Sequence, residues 1–320
     1  MIVGPQDRRI WRPEGGLAKK EEYESYSSIN KYLTCPVVYY KFYRAYGREP
    51  VGPPALLGRA AHETIASVLV EKLLRGIDLP LEVIDETFHV KWNVELYLAK
   101  NQPGGISWDG TPSPQQYEEN GRQLLRHWGR DILPETTPKA VEEPFAARLK
   151  DVRQFLTGRF DLITPVGFID HKTGMREPKM TGLELQMAIY YIGHLDRYKV
   201  WPQTVEITWL ETVGDLGVAM IPYSLSKSEV QQLVNEKIKP AMQGMAKSRD
   251  SGLYPCKCGK HKDIDKNKVD ADLAAEKAER ERVDLILNPQ KKEATIEYLD
   301  KATGDSGDNS RPIAVNSLPF

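Results

Sequence analysis

Cysteine is scarce in this chain, with three in 320 residues. Three thiols make no disulfide framework, so an apolar core has to hold the fold. No apolar run approaches the roughly 20 residues of a membrane-spanning helix. The opening stretch, MIVGPQDRRIWRPEGG, has no apolar signal core, and a cytoplasmic protein is expected. Neither charge is in excess: 44 basic and 45 acidic side chains give a net charge of -1. That is not the composition of a strongly basic nucleic-acid binder, although the charge of one groove can depart from the average. No G-x-x-x-x-G-K-[ST] phosphate loop occurs, so the chain carries no such motor of its own. Internal repeats are absent too.

What is present is a globular chain, 40% hydrophobic, organised in blocks. Residues 1–22 read as a polar arm. Residues 27–44, SSINKYLTCPVVYYKFYR, read as a helix with Ser27 or Ser28 as N-cap. REPVGPP, 48–54, reads as a turn. Apolar residues at helical spacing over 55–76, 79–100 and 115–133 predict an inserted helical segment at 55–133. A breaker-rich loop, 101–114, interrupts it. The core at 137–250 begins with three strands, AVEEPFAARL, QFLTGRFDLIT and VGFIDHKT. A helix over 181–198, two strands and a last helix follow. The order βββαββα predicts an α/β fold with a central mixed sheet flanked by helices. Residues 23–259 are taken as one domain. Residues 260–320 form a charged tail with an exposed helix at 268–287 and a disordered end.

The chemistry concentrates in residues 158–172, GRFDLITPVGFIDHK. Asp161 lies on one strand, and Asp170-His171-Lys172 ends the next. Two carboxylates suit a hard divalent cation. Lys172, two residues after Asp170, points to the same side of its strand. Its ammonium can orient a water or neutralise charge that develops on a phosphate. As bare residues, the acids also read as ordinary strand-end acids and DHKTG as a polar turn. Glu142 and Glu143 are open to both readings too: orienting the lysine or a metal-bound water, or facing solvent.

Five pieces in order resemble the PD-(D/E)XK nuclease superfamily, in its RecB-type exonuclease branch. They are SSINKYLTCPVVYYKFYR, GRAAH at 58–62, GRFD, DHKTG, and LQMAIYY at 185–191. The resemblance implies a restriction-endonuclease-like core and a Mg²⁺- or Mn²⁺-dependent deoxyribonuclease, an exonuclease of recombination, repair or replication. It implies metal ligation by His62, Asp161, Asp170 and the carbonyl of His171, with Lys172 catalytic beside the two acids. An imidazole ligand favours Mn²⁺. Gln186 and Tyr190 share a helix face, and the resemblance places them on DNA. A structure-specific or restriction-type endonuclease, and a non-catalytic DNA-binding scaffold, stay open as alternatives.

Part of that branch carries an iron–sulfur cluster on one upstream and three downstream cysteines. Here Cys35 stands upstream, and only Cys256 and Cys258 follow. His261 completes a Cys₃His set, which suits zinc better than a cluster of four thiolates. The expectation is nevertheless packing, with three free thiols. The last residues place Leu318 and Phe320 behind a Gly/Asp/Ser-rich linker, and a replication or recombination partner is the expected receptor of that tip.

Overall fold

The computed structural model describes residues 23–45, 52–101, 105–106, 108, 112–174, 180–212 and 216–265. The chain divides into two compact units, Met1–Asp263 and Ile264–Phe320. Of the second unit only residues 264–265 are described. The arm at 1–22, the helix at 268–287 and the tip with Leu318 and Phe320 lie outside the described residues.

The first unit is built on six strands: β1 Tyr23–Ser25, β2 Ala140–Arg148, β3 Phe155–Ile163, β4 Gly167–Gly174, β5 Thr204–Glu211 and β6 Val218–Pro222. β2 and β3 form a long antiparallel hairpin. β4 runs parallel to β5, and β6 returns antiparallel to β5. The sheet is mixed, as the element order predicts.

The edge of β3 that faces away from β2 is shared by two strands. β4 pairs with it only through Leu162–Ile169 and Ile163–Phe168. At its other end, β1 lies parallel to Phe155–Thr157. Between these two partners the sheet is forked, and Asp161 and Asp170 are the next residues into the fork. β1 is absent from the sequence reading because three residues, Tyr-Glu-Ser, carry no alternating pattern.

Helices α3 Pro53–Arg75 and α5 Pro114–Asp131 cover one face of the sheet, and α4 Leu81–Lys100 packs on both of them. Their core includes the fully buried Phe88, Trp92 and Trp128 and reaches the sheet at Leu162, Ile169 and Leu210. α6 Met180–Tyr198 carries the crossover from β4 to β5 on the opposite face. Phe145, Phe160 and Phe168 pack against Tyr190 of α6 with ring centroids 5.5–6.0 Å apart. None of the described helices is long and apolar enough to cross a membrane.

Several local expectations are corrected. The predicted first helix is two, α1 Tyr26–Thr34 and α2 Pro36–Tyr40, joined at an extended Cys35. Pro36 cannot continue the helix, since it has no N–H and disfavours a helical residue before it. The N-cap is Ser25, with Ser28 completing a reciprocal capping box. Pro53 and Pro54 do not belong to a turn but open α3, where a missing N–H costs nothing. The last helix is α7 Lys227–Leu233 and α8 Lys239–Ser251, with a π-helical turn between them. Pro240 cannot donate to the carbonyl four residues back, and the ladder rewinds just ahead of it.

Candidate active site

The fork in the sheet assembles most of the residues singled out by sequence. Asp170 is 1% exposed and lies in the middle of a polar cluster. Its Oδ2 stands 2.5 Å from Lys172 Nζ. Its Oδ1 faces Gln186 Nε2 at 3.4 Å, and the Tyr190 hydroxyl reaches the same carboxylate. Gln186 Nε2 also donates to Tyr190 Oη at 3.1 Å. Strand alternation sends Asp170 and Lys172 together to the α6 side and His171 to the other.

Asp161 closes the fork from β3. Its Oδ2 accepts a hydrogen bond of 2.8 Å from the backbone N–H of His171. It also stands 3.8 Å from His62 Nδ1. That is beyond hydrogen-bond range and open enough for one ion to take both atoms as ligands. The His62 and His171 rings meet edge to face, 6.0 Å apart. Both ring nitrogens of His171 are buried and have no hydrogen-bond partner among the described residues. His62 arrives from α3, and Gly58, one turn earlier, explains the spacing. A Cβ at Gly58 would stand 2.5 Å from Thr173 Oγ1 of β4. A glycine there lets α3 lie this close to the end of β4 without displacing the Thr173 hydroxyl.

The register across β2 and β3 hides an irregularity at this point. The ladder pairs Val141 with Leu162 and Glu143 with Phe160, and skips Glu142 and Asp161. Glu142 has φ 53, left-handed for a side-chain-bearing residue inside a strand. On one side of the skip, Phe145 and Phe160 pack on α6. On the other, Leu162 and Val141 join the core beneath α3. The faces therefore exchange at Asp161, which turns its carboxylate to His62. Backbone strain held in place by surrounding packing is characteristic of functional sites.

Burial dominates the electrostatics. It pushes Asp170 up to about 6, with Asp161 adding to the rise and Lys172 opposing it. Burial also raises Asp161, but the His62, His171 and Lys172 side chains and the His171 N–H outweigh it, and Asp161 ends below the ordinary range. Burial lowers His171 to about 4 and lowers His62 as well, so both imidazoles are neutral at pH 7. Burial lowers Lys172 too, yet Asp170 and Asp161 together hold it above its ordinary value. Lys172 is thus an ammonium. Glu142 is pushed up to about 7 by burial, with Arg159 opposing and Asp161 and Glu63 adding.

The donor set suits a hard divalent cation: two carboxylates, neutral imidazoles and a main-chain carbonyl. The orphaned His171 nitrogens fit the same reading. Glu143 is committed elsewhere, to Arg197 and the Tyr198 hydroxyl on α6. Three neighbours escaped sequence reasoning. Arg159 pairs with Glu142 at 2.7 Å. Glu63 and the α1 residue Tyr26 lie within electrostatic reach of Glu142 and Lys172 respectively. Glu63 alone had a local signal, its place beside His62.

A forked mixed sheet that presents two acids and a lysine to a helix-borne histidine is the architecture of a phosphodiester-cleaving nuclease. A family model described as the PD-(D/E)XK nuclease superfamily matches residues 24–296, and the chain belongs to that superfamily. Among solved structures, a protein from Eubacterium rectale described as "Putative exonuclease" superposes with a TM-score of 0.51 at 11% identity. The match covers 72% of this chain and 82% of that one, and at this identity it speaks for the fold. No curated protein matches the chain.

Proposed function

We propose that the protein is a Mg²⁺- or Mn²⁺-dependent deoxyribonuclease of the RecB type, an exonuclease acting from ends or on single strands in recombination, repair or replication. The observation that carries the reading is the meeting of Asp161, Asp170, Lys172 and His62 at the fork. His62, Asp161, Asp170 and the His171 carbonyl would hold the cation. A bound cation supplies a water of lowered pKa and a polarised phosphoryl oxygen. The rest belongs to the chain's own groups. Lys172, kept charged by two acids, stabilises the extra negative charge on the pentavalent phosphorus and positions the water; it is not a free amine base. Gln186 and Tyr190 orient the Asp170 carboxylate. The test is divalent-dependent release of acid-soluble nucleotide, with products followed on end-labelled linear and covalently closed circular DNA. Mononucleotide release from linear DNA with circles left intact supports the reading. Rapid linearisation of circles identifies an endonuclease instead, and DNA binding without cleavage identifies a scaffold.

The helix pair yields a prediction of its own. The Tyr190 ring is packed among three phenylalanines while its hydroxyl serves Asp170, so the two roles separate in Tyr190→Phe. Removing the hydroxyl alone is expected to lower turnover about tenfold, which corresponds to about 1.4 kcal/mol. The melting temperature should move little, since a hydrogen bond contributes about 1 kcal/mol net. Gln186→Ala should behave alike. A purely packing role for the pair predicts unchanged turnover at temperatures well below melting.

The protonation of Asp170 sets a pH dependence. Its proton, held to about pH 6 in the metal-free protein, competes with the cation for the same oxygens. Above that value the carboxylate is free. Below it, each pH unit is expected to raise the Mn²⁺ midpoint about tenfold. Calorimetric Mn²⁺ titrations at pH 5, 6 and 7.5 check this, and a midpoint equal at pH 5 and 7.5 would refute it.

A further inference from the structure

The three cysteines of the chain converge on one point, although 221 residues separate two of them. Cys35 Sγ lies 3.9 Å from Cys256 Sγ. Cys256 Sγ lies 3.7 Å from Cys258 Sγ. Cys258 Sγ lies 3.1 Å from His261 Nδ1. All four ligand atoms fall within 4.8 Å of one another. All four belong to the first unit, and the fork holding Asp161 and Asp170 does not use them.

The spacing decides what such a site can hold. A tetrahedral ion with metal–sulfur bonds of about 2.3 Å places its sulfurs about 3.8 Å apart. The two sulfur–sulfur distances match that edge. A four-iron cluster needs a different geometry, because its thiolates sit on four separate irons at the corners of a cube. No two of them share an ion, so they stand well apart from one another. A disulfide, with sulfurs at about 2.05 Å, needs a much closer approach. From these distances and this donor set, we infer that Cys35, Cys256, Cys258 and His261 form a structural zinc site with closed tetrahedral coordination.

The backbone around the sulfurs is arranged to receive thiolates. The N–H groups of Val37, Val38 and Lys257 lie close enough to Cys35 Sγ to favour its thiolate, as that of Lys260 does for Cys258, without a side-chain cap bond being formed at Cys35. The first two come from the opening turn of α2, for which Cys35 is the N-cap. The loop reverses at Gly259, whose φ of 72 suits glycine. Asp263 Oδ1 accepts the Cys256 N–H at 2.7 Å and braces the loop. Three thiolates and one Zn²⁺ leave a net charge of -1, and the exposed Lys257, Lys260 and Lys262 are interleaved with the ligands along the loop. Cys35 is buried, and the other three ligands are half-exposed on the loop. One face is thus fixed in the core and the other is accessible to solvent.

The site fastens the segment after α8 to the junction of α1 and α2. Tyr254, on the approach to the loop, already packs on Tyr40 with tilted rings, centroids 4.6 Å apart. α1 in turn carries Tyr26 to the neighbourhood of Lys172. Zinc here therefore steadies the helix that borders the fork without touching the reacting groups.

The test uses the full chain as purified, with metal content measured per protein. About one zinc per chain and no iron is expected. Exchange with Co²⁺ should give the visible bands of tetrahedral thiolate coordination. His261→Ala removes a ligand on the accessible loop, where folding is least at stake, and should weaken zinc binding at least tenfold against a competing chelator. His261→Cys should restore it, which no packing role of the imidazole explains. Asp170→Asn should retain full zinc, so loss of the nuclease reading and loss of this one are separable. Stoichiometric iron with broad visible absorbance overturns the single-ion assignment. So does metal-free protein with three freely titrating thiols, and so does a Cys35–Cys256 disulfide.

Discussion

Asp170→Asn is expected to reduce the cleavage rate by at least about two orders of magnitude, close to 3 kcal/mol of transition-state stabilisation. The substitution keeps the shape of the side chain and its bonds to Gln186 and Tyr190, and removes the charge. Without that charge the fork loses a proposed oxygen ligand of the cation, and Lys172 loses the partner at 2.5 Å that holds it in place. Asp161→Asn should cost as much, since Asp161 faces His62 and fixes the His171 N–H. DNA binding should persist in both, because a single charge contributes little to a groove contact with many phosphates. Lys172→Ala should be as slow for a different reason. Loss of the ammonium lifts the Asp170 pKa further above about 6. Raising the pH should then restore the Mn²⁺ midpoint of Lys172→Ala but not its turnover. Retained cleavage in a folded Asp170→Asn protein would remove the site assignment altogether.

Asp161, Asp170 and Lys172 were legible because they sit on consecutive strands with a spacing that alternation converts into a shared face. Gly58 and His62 were legible as a motif, but their reason was not. The need for glycine shows only when α3 is seen against Thr173 of β4. The exchange of faces at Glu142 and Asp161 was invisible, since a period-two pattern assumes that no residue in the strand turns left-handed. Tyr190 shows a further limit. The resemblance places it on DNA, while its ring packs among three phenylalanines and its hydroxyl reaches Asp170. The meeting of the cysteines was legible only through the resemblance, because Cys-x-Cys and a thiol more than two hundred residues away carry no spacing rule. Only the contact of α2 with the segment after α8 brings them together. β1 is three residues long and is defined by its partner rather than by its own sequence.

Gly167 is where stability and site geometry are most tightly joined, and Gly167→Ala is expected to be the more damaging of two outwardly similar glycine changes. Gly167 opens β4 and faces Thr204 across the parallel pair with β5. A Cβ there would stand 1.7 Å from the Thr204 carbonyl oxygen and 2.8 Å from its carbon. Neither atom belongs to a rotatable side chain. The turn before β4 cannot yield easily either. Thr164 and Gly167 are cross-bonded at 2.9 Å and 3.0 Å, and the Val166 carbonyl takes the Gln203 N–H at 2.8 Å. The strands must therefore separate, at the upper end of overpacking costs, about 3 kcal/mol. For a unit of this size that corresponds to a fall in melting temperature of about 6–12 °C. Gly58→Ala is the internal control. Its Cβ would meet Thr173 Oγ1 at 2.5 Å, but a hydroxyl can rotate away, so about 1 kcal/mol or less is expected. The pairing of β4 with β5 extends from Gly167 through Asp170 and Lys172, so Gly167→Ala should also lower turnover well below its melting temperature. Differential scanning calorimetry on both variants gives the order of stabilities. A Gly167→Ala protein melting within a degree of the parent would show that β4 is free to slide against β5, and that the fork is not held by this strand.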